Sequence, residues 1–219
     1  MRTSEEGQND MEQQITLMKE KLDCLRARFA DLQLMDVEEN VPEDMRVGSV
    51  NEDGWVEWRF IDSTITEEEI QALERRFEVE LPPLFRAFLR TYHFTELGFQ
   101  NVELDGEYLG DCRFISMPSM SSGNRLEDLE YQIQCWEPLL AAGYIPFAEC
   151  EDQQGPVCFD TLGRNSSGDC PVVWFLHDDL HDLGEEKCKT RENLLPYVNQ
   201  LFDSFENMVT VLCSEPSAQ

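Results

Sequence analysis

Cationic residues are scarce in this chain. Lysine and arginine together number 17 against 45 aspartates and glutamates, which leaves a formal net charge of −28 over 219 residues. A surface so poor in positive charge cannot neutralise phosphates, so direct binding to nucleic acid or to an anionic membrane is excluded as a main function, and a basic protein partner is favoured. Long hydrophobic runs are missing as well: no stretch approaches the roughly 20 apolar residues that cross a bilayer, and the opening "MRTSEEGQND" lacks an apolar signal region. The eight cysteines include no Cys-x-x-Cys pair, so zinc-ribbon spacing is absent. A reduced, cytoplasmic protein with most thiols serving as small core hydrophobes is the resulting expectation. There is also no Gly-x-Ser-x-Gly elbow and no glycine-rich phosphate loop ending in lysine. The expectation is therefore a protein that is not an enzyme and takes no cofactor or metal.

What is present begins with a 3.5-residue repeat. Met11, Ile15, Met18, Leu22, Leu25, Phe29 and Leu32 step by four and three in alternation, the pattern of a coiled-coil seam. Such a helix either associates with a second copy or a partner helix, or lies on its own domain. Residues 36–54 are acidic, contain Pro42, Gly48 and Gly54, and lack apolar periodicity; they read as a linker. The division is thus an amphipathic helix and acidic linker over 1–50, a folded domain over 51–213 and a disordered tail over 214–219.

Within the domain, "WVEWRFID" alternates apolar residues and predicts a first extended segment. In "ITEEEI" Thr66 caps a helix, Glu69 reaches back to it, and Ile65 with Ile70 forms a hydrophobic staple. The acidic first turn is then explained by the helix dipole. Pro82 ends that helix and Pro83 opens the next. A weak strand pair is expected between Gly98 and Met120, a third helix from Leu126 that ends or kinks at Pro138, strands at 144–149, 156–160 and 171–177, and a last helix over Leu194–Val209 with Asn193 as its cap. Helices, then strands, then a helix predict an α+β fold: a central, mostly antiparallel sheet flanked by helices, with an N-terminal helical arm.

Two features bear on function. The segment from Glu149 to Glu186 holds ten acidic residues against the single basic Arg164. If its turns cluster at one end of the sheet, Glu151, Asp152, Asp160, Asp178, Asp179, Asp182, Glu185 and Glu186 present a negative field that suits a basic partner; otherwise they are solvated loops. In "HDDLH" His177 and His181 stand four apart, which on a helix places both imidazoles on one face. The glutamate of the zinc-protease pattern is missing, and no metal site is assigned. His93, in an aromatic stretch, is expected to be packed rather than catalytic.

The stretches "ITEEEIQALERRFEVELPPLFRAFL", "YIPFAECEDQQGPVCFD" and "PVVWFLHDD" together resemble the SUKH superfamily, the SMI/KNR-type immunity-protein family. The residues that carry the resemblance are Ala72, Leu73 and Glu74; Leu81 and Pro82; Phe85, Phe88 and Leu89; Ile145, Pro146 and Phe147; Gly155; Asp160; Val172 and Val173; and His177 with Asp178. It covers about residues 55–210 and leaves the first fifty outside. One departure is "TYHF", Thr91 to Phe94, where the family usually turns on Asn-Gly or glycines; a differently shaped loop beside the binding face is the implication. The resemblance implies a compact helix-flanked sheet, no catalysis and a protein-binding role. The leading form is immunity, meaning direct neutralisation of a basic, nuclease-type toxin. The alternative is a regulatory scaffold that joins partners, or a second copy, through the N-terminal helix.

Overall fold

The apolar repeat near the N-terminus forms a long helix, α1 (Ser4–Phe29), in the computed structural model, which describes residues 4–29, 34–95, 97–104, 107–119, 124–150 and 155–214. Glu151, Asp152, Leu32 and the tail from 215 lie outside the described residues, as do the side chains of Leu25 and Phe29. After α1 the chain departs from expectation. The stretch read as a linker contributes β1 (Met35–Val37) and β2 (Arg46–Val47), which flank β3 (Trp55–Trp58) in an antiparallel three-stranded sheet. Its order comes from side-chain-to-backbone bonding, which leaves no hydropathy period. Arg46 donates to the carbonyls of Val41 (2.8 Å) and Glu38 (3.0 Å) and pairs with the Glu38 carboxylate at 2.9 Å. Val41 and Met45 are buried beneath it.

A short β4 (Ile61–Asp62) leads into α2 (Glu67–Phe77). The predicted capping box is formed: Thr66 accepts from the Glu69 N–H, and the Glu69 carboxylate accepts from the Thr66 N–H at 2.8 Å. Ile65 and Ile70, the two halves of the staple, are both buried. Helix α2 ends on Glu78 in the left-handed region (φ +54°), and α3 (Pro83–Leu89) starts with proline in its first turn. Glu74 spans the break, accepting from the Leu81 N–H (2.9 Å) and from Arg86 through both oxygens (2.9 and 3.0 Å).

The "TYHF" segment is not a loop. Tyr92 and His93 form β5 (Tyr92–His93), paired with β4, and all four residues are buried. His93 is fully buried; its Nδ1 meets the Met117 carbonyl at 3.0 Å and its Nε2 accepts from the Thr64 N–H at 2.8 Å. That bonding requires the neutral tautomer with the proton on Nδ1.

The strand pair expected after Gly98 is β6 (Leu97–Leu104) and β7 (Glu107–Phe114). Helix α4 (Glu127–Cys135) stops short of Pro138, which opens α5 (Pro138–Ala141). Then come β8 (Tyr144–Cys150), β9 (Gly155–Asp160), β10 (Val172–Trp174), α6 (His177–Leu183), α7 (Glu185–Cys188), α8 (Arg191–Leu194), β11 (Asn199–Phe202) and α9 (Phe205–Ser214). The expected final helix is therefore three elements. Pro196 lies in a 3-10 turn that ends α8, and residues 199–202 extend to pair with β10. Helix α9 restarts on Ser204, whose hydroxyl accepts from the Asn207 N–H (3.0 Å), helped from afar by buried Asp169, which accepts from the Phe205 (3.3 Å) and Glu206 (3.0 Å) N–H groups.

The main sheet has the order β11-β10-β9-β8-β7-β6, antiparallel throughout. Both faces are covered, and strand alternation sorts side chains between them. Ile145, Phe147, Val157, Phe159 and Val172 join the larger core with α1, α3, α4 and α9. Tyr144, Cys158 and Val173 point the other way, into a second core under α5 to α8. The larger core centres on Phe85, whose ring lies 5.0 to 5.8 Å from those of Phe88, Phe147, Phe159 and Phe205. Each such aromatic pair adds about 0.5–1.5 kcal/mol beyond area burial. Phe147 follows Ile145 to this face by alternation and stacks on Phe159 at 3.9 Å, and a bulge in β8 between Pro146 and Ala148 brings Ala148 to the same core.

The N-terminal arm lies on this core. Met18 is fully buried and Leu22 nearly so, and α1 packs on α3 and α9. The Tyr92 hydroxyl donates to Asp23 (2.6 Å), and Lys19 pairs with Asp62 (2.9 Å) while lying over the Tyr92 ring. Burial and the Asp23 carboxylate push the Tyr92 hydroxyl up to about 12. The centre of the seam thus carries intramolecular packing; Met11 and Ile15 are half-buried.

Candidate acidic interaction site

The second core positions the acidic segment. Val173 and Phe175 are buried in it, and the chain leaves β10 straight into α6, so "HDDLH" is helical from its first residue rather than the end of a strand. Leu180 and Cys188 face inward as the buried residues of α6 and α7. Gly184 (φ +82°) separates the two helices in a conformation that suits glycine. With the apolar positions turned in, the acids between them are turned out. Asp178, Asp182 and Glu186 are 88%, 90% and 85% exposed at the side chain, Glu185 is also exposed, and Asp179 is half-buried. Asp178 and Asp179 stand in the first turn of α6, where the helix dipole favours negative charge. Two lysines stand among them: Lys187, exposed on α7, and Lys189, held by Glu186 (2.6 Å) and Glu185 (3.5 Å).

Gly155 explains how β9 and α6 come to lie so close. A Cβ at this position would stand 1.8 Å from the Phe175 carbonyl oxygen and 3.1 Å from the His177 nitrogen. Only glycine permits that approach, and it sets the start of α6 against the end of the β8–β9 hairpin, where Cys150 pairs with Gly155.

Asp160 is placed differently from the other predicted acids. Its side chain is 13% exposed; one oxygen accepts from the Leu162 N–H (3.1 Å) and the other from Arg191 (2.6 Å). The carboxylate raises the Arg191 pKa, and the guanidinium stands 4.7 Å over the Tyr144 ring. Asp160 therefore closes a structural cluster at the end of β9. Asp169, counted among the acids of this segment, is likewise inward, as a cap of α9.

The imidazoles of His177 and His181 share one face of α6, stacked at 6.3 Å and 16°. Among the described residues no group of three or more His, Cys, Asp or Glu side chains is arranged to hold a metal ion. The pair instead faces Trp136, whose ring meets His177 edge-on at 5.7 Å. Beside this contact lies a cleft of about 370 Å³ that Trp136, His177 and His181 line together with Glu137 and Glu185. Reading Trp136 only as an apolar position of α4 missed this wall; the signal was its place beside the helix-ending Pro138, where the chain turns and a side chain is freed.

A helix-flanked antiparallel sheet is what the resemblance implied; Glu74 and Gly155, two residues that carried it, bridge the two-proline break and make the close approach at the start of β9. The decisive comparison is the model of the SMI1 / KNR4 family (SUKH-1), which matches residues 64–210. The chain belongs to this family. No curated protein sequence matches it. The SUKH-type domain is generally non-enzymatic, with immunity or regulatory roles, and its members typically bind protein toxins. The match covers the main sheet and its helices, with α1 and the three-stranded sheet on its N-terminal side. Among the described residues no helix is long and apolar enough to cross a membrane.

Proposed function

We propose that this SUKH-type chain is an immunity protein that neutralises a basic, nuclease-type toxin by binding it directly through the outer face of α6 and α7. The observation that carries the reading is the row Asp178, Asp182, Glu185 and Glu186: exposed carboxylates on two consecutive helices, backed by a rigid core and a net charge of −28. Such a field steers a cationic protein into encounter and rejects acidic competitors. Asp179 stands at its margin, and Glu151 and Asp152 remain proposed contributors. Asp160 is left out, because Arg191 already neutralises it. The alternative of a scaffold joined through α1 is less favoured, since Met18 and Leu22 are committed to the core.

The test uses the tagged protein as bait in its native lysate, beside an Asp178→Lys/Asp182→Lys/Glu186→Lys variant. The expected result is a basic protein retained by the wild type alone, which arrests growth when expressed by itself and not when co-expressed with the wild-type chain. Equal retention by both forms, or growth arrest that co-expression does not relieve, contradicts the proposal.

A further inference from the structure

The cleft beside the acidic row has a chemistry of its own. Its aromatic lining is Trp136, half-buried at the end of α4, in edge contact with His177, which stacks with His181 on α6. Glu137 and Glu185 line both this cleft and a second one of about 430 Å³ that adjoins it, so they stand on the divide between the two. Glu137 is exposed and makes no ion pair among the described residues. Glu185 shares Lys189 with Glu186, which holds that ammonium closer (2.6 against 3.5 Å), so Glu185 keeps free acceptor positions.

Flat aromatic walls with carboxylates at the mouth select a particular cation. A guanidinium is planar and weakly hydrated, stacks on indole and imidazole faces, and donates two parallel N–H bonds from its edge to a carboxylate. An ammonium has the charge without the plane. The volume of about 370 Å³ lies at the small end of ligand sites, which begin near about 300 Å³, and so suits one side chain better than a cofactor. We propose that this cleft anchors an arginine side chain of the basic partner, stacked against Trp136 with its guanidinium between Glu137 and Glu185. This rests on the reading of the chain as a binder of a basic protein, and adds the residue type that the partner must present.

The probe is N-acetyl-arginine methylamide, titrated against the full chain while the Trp136 indole and His177 ring signals are followed by NMR. Saturable shifts at both are expected, with affinity at least about fivefold weaker for the lysine analogue and none detected for the citrulline analogue, which keeps the shape and loses the charge. Trp136→Ala should abolish binding. Because Trp136 also packs on the second core, Glu137→Gln/Glu185→Gln, both at exposed positions, is the companion variant and should weaken binding by at least about fivefold. Equal binding of arginine and lysine, or binding unchanged in the glutamine variant, overturns the proposal. If the arginine probe fails while a basic partner is still retained through α6 and α7, the anchor is wrong and the immunity reading stands. If the probe binds as described and no basic partner is retained, the reading of the function fails instead.

Discussion

Two buried side chains set the chemistry of the core at the residue scale. Glu74 holds Arg86 and the Leu81 N–H together across the break between α2 and α3, with both charged side chains less than a fifth exposed. Burial pushes the Glu74 carboxyl up, and its hydrogen bond to Leu81 pulls the other way. Removing this partner leaves Arg86, a guanidinium that burial already disfavours, with the Glu67 carboxylate alone, and leaves the Leu81 N–H unbonded. Glu74→Ala should cost about 1–3 kcal/mol, read from urea denaturation midpoints; a loss within 0.5 kcal/mol, about the spread of an ordinary surface change, would contradict the bridging role. His93 supplies a pH dependence. Burial holds its pKa below the ordinary 6.5, against the pull of the Met117 carbonyl. An imidazole whose folded pKa is depressed contributes stability that is fully present above the unfolded value and is lost as pH falls through the folded one, because the unfolded chain binds the extra proton. Stability should therefore decline from pH 6.5 downward, and His93→Gln should flatten that slope whatever it does at neutral pH. An unchanged slope would show that another group titrates.

Packing between elements accounts for what the sequence disclosed and what it hid. The capping box of α2, the proline start of α3 and the end of α4 before Pro138 were legible because each signal lies within a few residues of the structure it makes. The alternation that sorts Phe159 from Cys158 between two cores was legible as a strand, though not as a strand buried on both faces. The three-stranded sheet was hidden, since Arg46 organises it through carbonyls rather than by hydropathy. The split of the last helix was hidden too: residues 199–202 become a strand because β10 offers an open edge, and Ser204, the local cap of α9, is joined there by Asp169, distant in sequence. Of the candidate site, the acidic row was legible as charge, but its helical form and the inward turn of Asp160 depend on contacts that no local pattern records. Helix α1 shows the same limit, since a 3.5-residue repeat does not say whose surface it meets. Met18→Ala should cost about 2–4 kcal/mol from cavity formation, and sedimentation should give the mass of one chain. A dimer dispersed by changes at Met18 or Leu22 would contradict the packing of α1. Gly155→Ala should cost about 2–3 kcal/mol, because its Cβ meets backbone rather than a movable side chain; neutral thermal denaturation would refute that close approach.

At the scale of the whole molecule, a SUKH-type sheet with both faces covered leaves its chemistry on the outside. The second core turns Leu180 and Cys188 inward, and Asp178, Asp182, Glu185 and Glu186 stand exposed on the same two helices, near the Trp136 cleft. A rigid acidic face meeting a basic protein associates fast, and screening slows it, with a Debye length of about 10 Å at 0.1 M salt. Charge reversal should act mainly on the association rate, and removal of an anchor mainly on dissociation. The most direct measurement is the association rate constant of the purified chain with its captured partner across a salt series, for the wild type and for Asp178→Lys/Asp182→Lys/Glu186→Lys. The account predicts a wild-type rate that falls by at least about tenfold between low and high salt, and a variant that is slow at every salt concentration. Wild type and variant that associate equally fast, with the same salt dependence, would show that the face of α6 and α7 is not where the partner binds.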